Sequence, residues 1–339
     1  MNILLTSVGR RGYLVDYFKE AFLGERLIFT ANSELTYTMT HADGYLITPL
    51  IYENNYISSI INFCKKNEIS YVLSLFDIDL FVLAQHEELF IENGITLILA
   101  PVDSVEVCND KWKTYTFLKN LNIPTPKSYL STALALEAVS KGELTFPLII
   151  KPRWGMASMG IYIVDDKDEL EVLYKKSCKE IFNSYLKYES SLTKDEPIII
   201  QELLIGNEYG VDVINDIGTN YYTCLVKQKV RMRAGETDLG LTVDNIDYQH
   251  IAKKLSKNIG HKGVLSVDCF DVNGQIYVTE MNCRISGHYP ISHAVGFNFP
   301  KLLKSWLDDS EVLPQDVSFE TQVYVSKELS IRRLGKNEC

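Results

Sequence analysis

Short apolar runs alternate with amphipathic stretches over the first 108 residues, and this alternation restricts the fold more than any other feature of the sequence. Strand-like runs lie at residues 2–6, 27–30, 44–47, 71–75 and 96–99, and stretches with helical spacing begin near residues 12, 54 and 78. Strands and helices that alternate in this way form a parallel, doubly wound α/β sheet. Because ligands of such sheets bind at the carboxyl ends of the strands, we expect a binding crevice at that edge.

The first of these strand ends carries the sequence SVGRRG at residues 7–12. It lacks the G-x-G-x-x-G fingerprint of dinucleotide-binding sheets. Arg10 and Arg11 suit an anionic group better than the close-packed pyrophosphate turn of a nicotinamide cofactor. A plain β-to-α turn with exposed arginines explains the segment equally well, so a contact of either arginine with substrate stays open at this point.

Length, charge and cysteine usage narrow the class of protein. The 339 residues suffice for roughly two to three domains. With 34 Lys and Arg against 44 Asp and Glu, the net charge of −10 argues against a nucleic-acid partner but allows a local basic pocket for a phosphorylated small molecule. Seven scattered cysteines without a C-x-x-C pair favour the cytoplasm over a disulfide framework or a structural zinc site. We expect a soluble, unprocessed protein without a membrane partner, because no apolar run approaches the ~18 residues of a membrane span and no signal peptide is recognisable.

From residue 109 the pattern changes, and we place a domain boundary there. Asp110 suits the first position of a helix over residues 111–121, which Pro124 and Pro126 prevent from continuing. Strand-like segments follow at residues 146–151, 160–164, 197–204, 209–215, 221–230 and 264–281. The rest of the chain is therefore predicted to be antiparallel-rich α+β and not a continuation of the first sheet.

The loop after the strand at residues 146–151 is a candidate phosphate-binding element. Lys151 stands at its entrance, and the sequence PRWGMASMG at residues 152–160 supplies glycines, small residues and backbone N–H groups that can fold over a polyphosphate. The loop is not a Walker A motif, because its last glycine is not followed by Lys and Ser or Thr. For this loop on its own, a hairpin without a ligand is the simpler alternative.

A β-hairpin with polar side chains on one face is predicted from the segment DCFDVNGQIYVTEMNCR. Side chains alternate along a strand, so Glu280, Asn282 and Arg284 face one way while Met281 and Cys283 face a core. A carboxylate and an amide oxygen suit Mg²⁺, which keeps several waters and is shared with substrate phosphates. An ordinary amphipathic hairpin with a solvated polar face is the alternative.

The turn of this hairpin decides whether Asp268 joins that face. A two-residue Asn-Gly turn puts Asp268 on the face opposite to Glu280, whereas a three-residue loop over residues 272–274 pairs it with Val278 and makes it a diagonal neighbour of Glu280. We predict the three-residue loop, with its glycine in the left-handed conformation. A two-residue turn without a bulge would exclude Asp268 from the site.

The strand at residues 197–204 ends beside two carboxylates, Glu202 and Glu208. Its exposed backbone can offer carbonyl and N–H groups to a purine edge, and a carboxylate can accept hydrogen bonds from ribose hydroxyls. The residues that would offer these groups are Gln201, Glu202, Leu203, Leu204 and Glu208. A strand, a turn and surface acids are the alternative.

Four cations alternate on the face of a later strand: Lys227, Lys229, Arg231 and Arg233. Such a row repels itself unless it meets anions. The row therefore slightly favours an anion site over a solvated strand face.

The order and spacing of these segments resemble the ATP-grasp superfamily over most of the chain. Within it, the chain resembles the small ligases that are similar to half of a carbamoyl-phosphate synthase large chain or to the pyrrolysine-pathway ligase. The segments concerned are NILLTS at residues 2–7, NDK at 109–111, IPTP at 123–126, FPLIIKP at 146–152, QELL at 201–204 and E-x-N-x-R at 280–284. The resemblance implies a Rossmann-like pre-ATP-grasp domain at residues 1–108, a small lid subdomain at 109–200 and a large subdomain with the metal site at 201–339. The two α+β subdomains would clasp ATP.

The resemblance also assigns roles to residues. The implied ATP ligands are Lys111, Lys151, Ser158, Met159, Gly160, Gln201, Glu202, Leu203, Leu204 and Glu208. The two lysines would contact phosphates, the QELL segment would read adenine and Glu208 would hold the ribose. The implied ligands of Mg²⁺, with Mn²⁺ as a substitute ion, are Asp268, Glu280 and Asn282, and Glu280 would bridge two ions. Arg284 would steady the γ-phosphate.

Three positions depart from the family pattern. Cys283 stands where proline is usual in an E-x-N-P-R run. Met156 and Met159 stand where the phosphate loop usually has glycine or serine. None of these changes removes a donor group, so we expect a working site.

The activity implied is that of a ligase. A carboxylate is activated by ATP as an acyl phosphate, which an amine or a thiol then attacks, so the implied partners are small-molecule carboxylate and amine substrates, with a homodimer as the default assembly. The candidate catalytic residues are Lys151, Arg233, Arg284 and His288. Arginine can bind a carboxylate and the histidine can take a proton from the amine.

Two other functions remain open at this point. An NAD-type Rossmann oxidoreductase could be built on residues 1–108, although the missing glycine fingerprint opposes it. A non-catalytic ATP-binding regulator is the other alternative, opposed by the metal and cation set.

Overall fold

The computed structural model describes residues 2–155, 159–233, 235–310, 312–314, 317–328 and 331. Within these residues the strands form three sheets of five, four and six strands. Across the same residues, we find no helix with the length and apolar character that crossing a membrane requires.

The five-stranded sheet is parallel and has helices between its strands, as predicted. Its strands are β1 (Asn2–Thr6), β2 (Ile28–Asn32), β3 (Gly44–Ile47), β4 (Ile69–Ser74) and β5 (Thr96–Leu97), in the order β3-β2-β1-β4-β5. Its helices are α1 (Gly12–Ala21), α2 (Tyr56–Lys66), α3 (Asp77–Ala84) and α4 (Glu87–Glu92), with a 3-10 turn at Tyr37–Thr40. The doubly wound α/β class is therefore confirmed for this region.

The buried carboxylate of Asp79 links the carboxyl ends of β1 and β4 by hydrogen bonds. Asp79 is fully buried and accepts hydrogen bonds from the hydroxyls of Thr6, Ser7, Ser74 and Tyr56, at 2.5 to 2.9 Å. Four donors replace the water that the carboxylate loses, which makes its burial tolerable. The result is a fixed crevice edge at the point where the SVGRRG turn begins.

The four-stranded sheet is antiparallel, in the order β6-β9-β7-β8. The elements of this part are α5 (Val102–Asn109), α6 (Lys111–Asn120), β6 (Ser128–Tyr129), α7 (Thr132–Ser140), β7 (Leu148–Pro152), β8 (Tyr162–Val164), α8 (Lys167–Phe182), α9 (Lys187–Ser190), a 3-10 turn at Ser191–Thr193 and β9 (Ile198–Glu202). Asp110 caps α6, as expected, by accepting from the backbone N–H of Trp112 at 2.9 Å. The boundary predicted after residue 200 lies inside β9.

The six-stranded sheet is also antiparallel, in the order β14-β13-β10-β11-β12-β15. Its elements are β10 (Asn207–Asn215), β11 (Tyr221–Arg233), β12 (Glu236–Val243), α10 (Ile246–Ile259), β13 (Gly263–Val272), β14 (Gln275–Asn282), α11 (Tyr289–Ala294), α12 (Phe299–Leu307) and β15 (Tyr324–Ser326). The antiparallel-rich α+β prediction is confirmed for residues after 109. The prediction did not include β12, whose first half is polar.

The hydrophobic cores show which sheets pack together. One buried cluster joins residues of the five-stranded and six-stranded sheets, for example Leu4, Val72, Val211 and Met281. The four-stranded sheet has a separate core of its own. The first two sheets therefore form one packed body, and the four-stranded sheet packs internally without sharing that core.

The β13–β14 hairpin differs from the predicted register. Val272 pairs with Gln275, so the turn has two residues, Asn273 and Gly274, both with positive φ. The predicted three-residue loop is wrong. A β-bulge at Thr279 nevertheless brings Asp268 to the same face as Glu280. The bulge adds one residue to β14, so Asp268 pairs directly with Glu280. The Thr279 hydroxyl donates to the backbone oxygen of Asp268 at 3.1 Å, which fixes the bulge.

A buried ion pair under the six-stranded sheet makes the first testable prediction. Lys227 is fully buried, and its ammonium group donates to the Asp212 carboxylate and to the Ser292 hydroxyl. Replacing Lys227 by methionine leaves Asp212 buried without its cation, so the free energy of unfolding should fall by about 3–5 kcal/mol. Urea denaturation measures the change. The double variant Asp212→Asn with Lys227→Met should regain part of the loss, and equal stability of single variant and parent would contradict the pairing.

Candidate active site

An open cleft of about 630 Å³ lies where the three sheets meet. The five-stranded sheet contributes the ends of β1 and β4, as the crevice rule predicts. The four-stranded sheet contributes β7 and β9, and the six-stranded sheet contributes β10, β11, β13 and β14. Predicted site residues that line the cleft are Lys111, Lys151, Met159, Gln201, Glu202, Leu203, Leu204, Glu208, Asp268, Glu280, Asn282, Arg284 and His288.

Oxygen donors share one face of the β13–β14 hairpin. Asp268 lies opposite Glu280, and Asn282 lies opposite Ser266, whereas Met281 on the other face is fully buried. Cys283 is also buried, with its Sγ 3.3 Å from that of Cys108. The strand alternation therefore produces the separation of polar and core faces that the sequence indicates.

Lysines surround these carboxylates. Lys229 Nζ lies 2.7 Å from Glu208 Oε1 and 2.9 Å from Asp268 Oδ1. Lys111 Nζ lies 3.6 Å from Glu280 Oε1 and donates to the Gly155 carbonyl at 2.7 Å. The cleft floor therefore holds charges of both signs at hydrogen-bonding distance.

Burial and nearby charges of both signs shift the pKa values of Glu280 and Lys151. Burial raises the pKa of the Glu280 carboxyl, but Lys111, Lys151, Lys229 and Arg284 outweigh it, so its pKa lies below the ordinary value. Burial lowers the pKa of Lys151 to about 8, and the like charge of Lys111 adds to this effect while Glu280 opposes it. An anionic ligand would relieve the repulsion among these cations.

Arg284 is tied to the N-terminal sheet. Its Nε and Nη2 atoms donate to the two carboxylate oxygens of Asp77, each at 2.8 Å. Arg11 holds the same junction, because its guanidinium donates to the carbonyls of Leu75 and Ile285. Part of the Arg11 guanidinium is thus used within the protein, and Arg10 is exposed; both residues line the cleft.

His288 is buried against the strand β10. Its Nε2 lies 3.1 Å from Ser266 Oγ and its Nδ1 lies 3.3 Å from Asp212 Oδ1. Burial and the nearby lysines lower its pKa, so the ring is neutral at pH 7. Gly210 makes room for the ring, since a Cβ at that position would lie 2.6 Å from His288 Cδ2. The site thus contains a neutral imidazole in a fixed place.

The end of β9 presents backbone to the cleft. The Gln201 side chain turns into the sheet and donates to Ser128 Oγ at 2.7 Å. Glu202 accepts from the backbone N–H of Lys127 at 3.3 Å. The side chains of Gln201 and Glu202 therefore already make hydrogen bonds within the protein. A purine edge in the cleft would bind the main-chain N–H and carbonyl groups instead.

Some predicted residues lie elsewhere. Arg233 is outside the cleft lining, half-exposed and paired with Asp238. Its catalytic role therefore stays a prediction. Gly160 packs against Pro152 and accepts from Ser177 Oγ at 2.9 Å, away from the cleft lining. Met156 and Ser158 lie outside the described residues.

The sequence analysis missed two functional candidates. Asp77 begins α3, three residues after the end of β4, so the carboxyl-end rule for parallel strands could have found it. Lys229 was seen only as part of a cation row, and its position between Glu208 and Asp268 depends on strand pairing. Both line the cleft.

The donor set fits a hard divalent cation. Within the described ranges no group of three or more His, Cys, Asp or Glu side chains is arranged to hold a metal ion. The candidate set predicted from the sequence has only two carboxylates, Asp268 and Glu280, which lie opposite each other, with the amide of Asn282. Few protein oxygens, with water and phosphate completing the shell, are typical of Mg²⁺. The cations around them fit the phosphates of a nucleotide.

Comparisons with known proteins agree with this geometry. Residues 3–98 match the family model "PylC-like, N-terminal domain" and residues 108–288 match the model "ATP-grasp domain". The carbamoyl phosphate synthase large chain of Clostridium acetobutylicum is 25% identical over 267 residues, which cover 75% of this chain and 23% of that protein. The chain thus spans about a quarter of the length of the curated relatives it matches.

Solved structures share the fold. The biotin carboxylase domain dimer of Hydrogenobacter thermophilus 2-oxoglutarate carboxylase, in complex with MgADP, ADP and bicarbonate, has a TM-score of 0.75 at 16% identity and covers 95% of this chain and 73% of its own. The L-amino acid ligase of Bacillus licheniformis has a TM-score of 0.66 at 17% identity. The match covers 95% of this chain and 78% of the ligase chain. At sequence identities of 16% and 17%, the similarity to these two structures is a similarity of fold alone.

Proposed function

Because this chain belongs to the ATP-grasp family, whose domain model matches residues 108–288, we propose that it is an ATP- and Mg²⁺-dependent ligase. It would activate a carboxylate as an acyl phosphate and join the acyl group to an amine, with release of ADP and phosphate. The matched domain, with its lysines and carboxylates in one cleft, supports a ligase over an oxidoreductase built on the N-terminal sheet alone.

One observation carries the proposal: four cations from four separate segments of the chain interact electrostatically with Glu280. They are Lys111, Lys151, Lys229 and Arg284. Such a concentration of positive charge in a protein with a net charge of −10 favours a polyphosphate ligand.

The nucleotide is proposed to lie between the four-stranded and six-stranded sheets. Lys111 and Lys151 would bind phosphates, the main chain at residues 201–204 would bind adenine, and Glu208 would accept from the ribose. Met159 lines the cleft in support of a covering loop. Ser158 and Gly160 would contribute to ATP binding only as parts of that loop.

Asp268, Glu280 and Asn282 would hold Mg²⁺, and Mn²⁺ would replace it. The metal, when bound, neutralises charge on the phosphate oxygens. Arg284 would bind the transferred phosphoryl group, and Lys229 would keep the carboxylates of Glu208 and Asp268 in place.

After phosphoryl transfer, the amine attacks the acyl carbon, and phosphate leaves. His288, whose neutral ring lines the cleft, is proposed to take the proton that the amine loses, although the burial and the cations that lower its pKa also make it a weak base. Water would hydrolyse the acyl phosphate, so the four-stranded sheet is expected to close over the cleft before transfer. Its separate core supports such a motion.

The substrates are proposed to be a small-molecule carboxylate and a small-molecule amine, as the name of the L-amino acid ligase indicates for that protein. A homodimer is part of the proposal, since the biotin carboxylase domain was crystallised as a dimer. The six free cysteines of the described residues support a cytoplasmic location.

A panel of substrates tests the proposal. Purified protein with Mg²⁺ and ATP is incubated with amino acids and sugar acids, and ADP release is measured with hydroxylamine present to trap an acyl phosphate. We expect ADP and a hydroxamate with at least one carboxylate. Binding of ATP without turnover across the panel would indicate a regulator, and binding of a nicotinamide cofactor instead would indicate an oxidoreductase.

A further inference from the structure

Asp77 and Arg284 form the most complete charged contact between the N-terminal sheet and the cleft. Both hydrogen bonds are 2.8 Å long, and the two side chains are 7% and 16% exposed. Asp77 is itself held by Asn109, whose Nδ2 donates to the Asp77 carbonyl at 3.0 Å. A bidentate pair of this kind fixes the plane of the guanidinium as well as its position.

The remaining donors of Arg284 can be counted. A guanidinium has five N–H groups. Asp77 takes two, and the Ile285 carbonyl, 3.4 Å from Nη1, takes a third. Among the described residues the other two N–H groups, one on each Nη atom, have no acceptor, and two is the number that a pair of phosphoryl oxygens needs.

Glu280 gives a reason why the orientation has to be enforced. It lies near the end of β14, four residues before Arg284, and interacts with it electrostatically. Without Asp77, the guanidinium would be free to pair with Glu280. That pairing would occupy a carboxylate that the proposed function needs for Mg²⁺.

We infer that Asp77 is a positioning residue, which holds Arg284 toward the terminal phosphate of the nucleotide and away from Glu280. This inference rests on the proposed function. It gives the N-terminal domain a part in phosphoryl transfer, although the ATP-grasp domain match begins only at residue 108.

Nucleotide binding tests the inference without turnover. Isothermal titration measures Kd for Mg·ADP and for Mg·AMP-PNP, which differ by the terminal phosphoryl group. In the parent protein AMP-PNP should bind more tightly. In Asp77→Asn this preference should shrink by about tenfold, while the affinity for ADP stays within about twofold.

Control variants separate orientation from stability. Glu87→Gln removes another ion pair, with Lys262 at 3.4 Å, outside the cleft lining, and should keep the full preference. Arg284→Met should remove the preference, and adding Asp77→Asn to it should change nothing more. Asp77→Glu retains the charge and should give an intermediate preference, which keeps the test available if Asp77→Asn does not fold.

The outcomes are distinct. An unchanged preference in Asp77→Asn, or an equal loss of affinity for both nucleotides, would overturn the positioning role and leave the proposed function intact. Failure of the parent protein to bind either nucleotide would overturn both.

Discussion

Replacement of Glu280 by glutamine is expected to lower the rate of ADP release by about 100- to 1,000-fold. The glutamine side chain keeps the shape of glutamate but loses the charge that faces Lys111, Lys151, Lys229 and Arg284. It also removes a carboxylate from a donor set that has only two. The rate should be measured against Mg²⁺ concentration with the best substrate pair, and the variant should need more Mg²⁺ for half-maximal rate.

Glu92→Gln is the matched control, because Glu92 is exposed on α4 and has the same change of charge. It should leave both the rate and the Mg²⁺ requirement unchanged. If Glu280→Gln kept its rate within twofold of the parent protein, the metal assignment on the β13–β14 hairpin would be wrong.

Replacement of Lys151 by methionine is expected to weaken binding of Mg·AMP-PNP by about 10- to 100-fold, the loss of one or two charge-assisted hydrogen bonds to phosphate. Methionine fills a similar volume on β7, where Lys151 is buried, so the strand should stay intact. Titration calorimetry gives the affinity. Lys113→Met is the control, since Lys113 is exposed on α6 and pairs with Glu106.

The affinity should also depend on pH through Lys151. Its pKa of about 8 in the free protein means that the lysine is charged below pH 8 and increasingly neutral above it. Phosphate binding favours the charged form, so Kd should be level below pH 8 and rise by up to about tenfold per pH unit above it. Lys151→Met should lack this rise near pH 8. A rise of the same size in the variant would assign the titration to another group.

Local periodicity explains what the sequence revealed. The strands β1 to β5 are short apolar runs, each readable without its neighbours, and so the α/β alternation of the N-terminal region was predictable. The face shared by Glu280 and Asn282 follows from the alternation of one strand. The donors of this hairpin could thus be proposed before its partner strands were known.

Long-range pairing explains what the sequence did not reveal. Asp268 lies opposite Glu280 because of a bulge at Thr279, and a bulge is stabilised by contacts with the partner strand. The pairing of Arg233 with Asp238 could not be predicted either, because the register shifts between β11 and β12 cannot be read from alternation in one strand. The pairing of Asp77 with Arg284 joins two sheets and has no local signal.

The separation of 207 residues between Asp77 and Arg284 also sets an order of events during synthesis. At about 5–20 residues per second, a ribosome needs about 10–40 s to reach Arg284 from Asp77. The N-terminal sheet is therefore synthesised with a hydrated carboxylate at its edge, long before the guanidinium that will cover it. A nascent chain stalled after residue 151 but before the β13–β14 hairpin carries Lys111 and Lys151 without Glu280 or Arg284, and we expect no phosphoryl transfer from it.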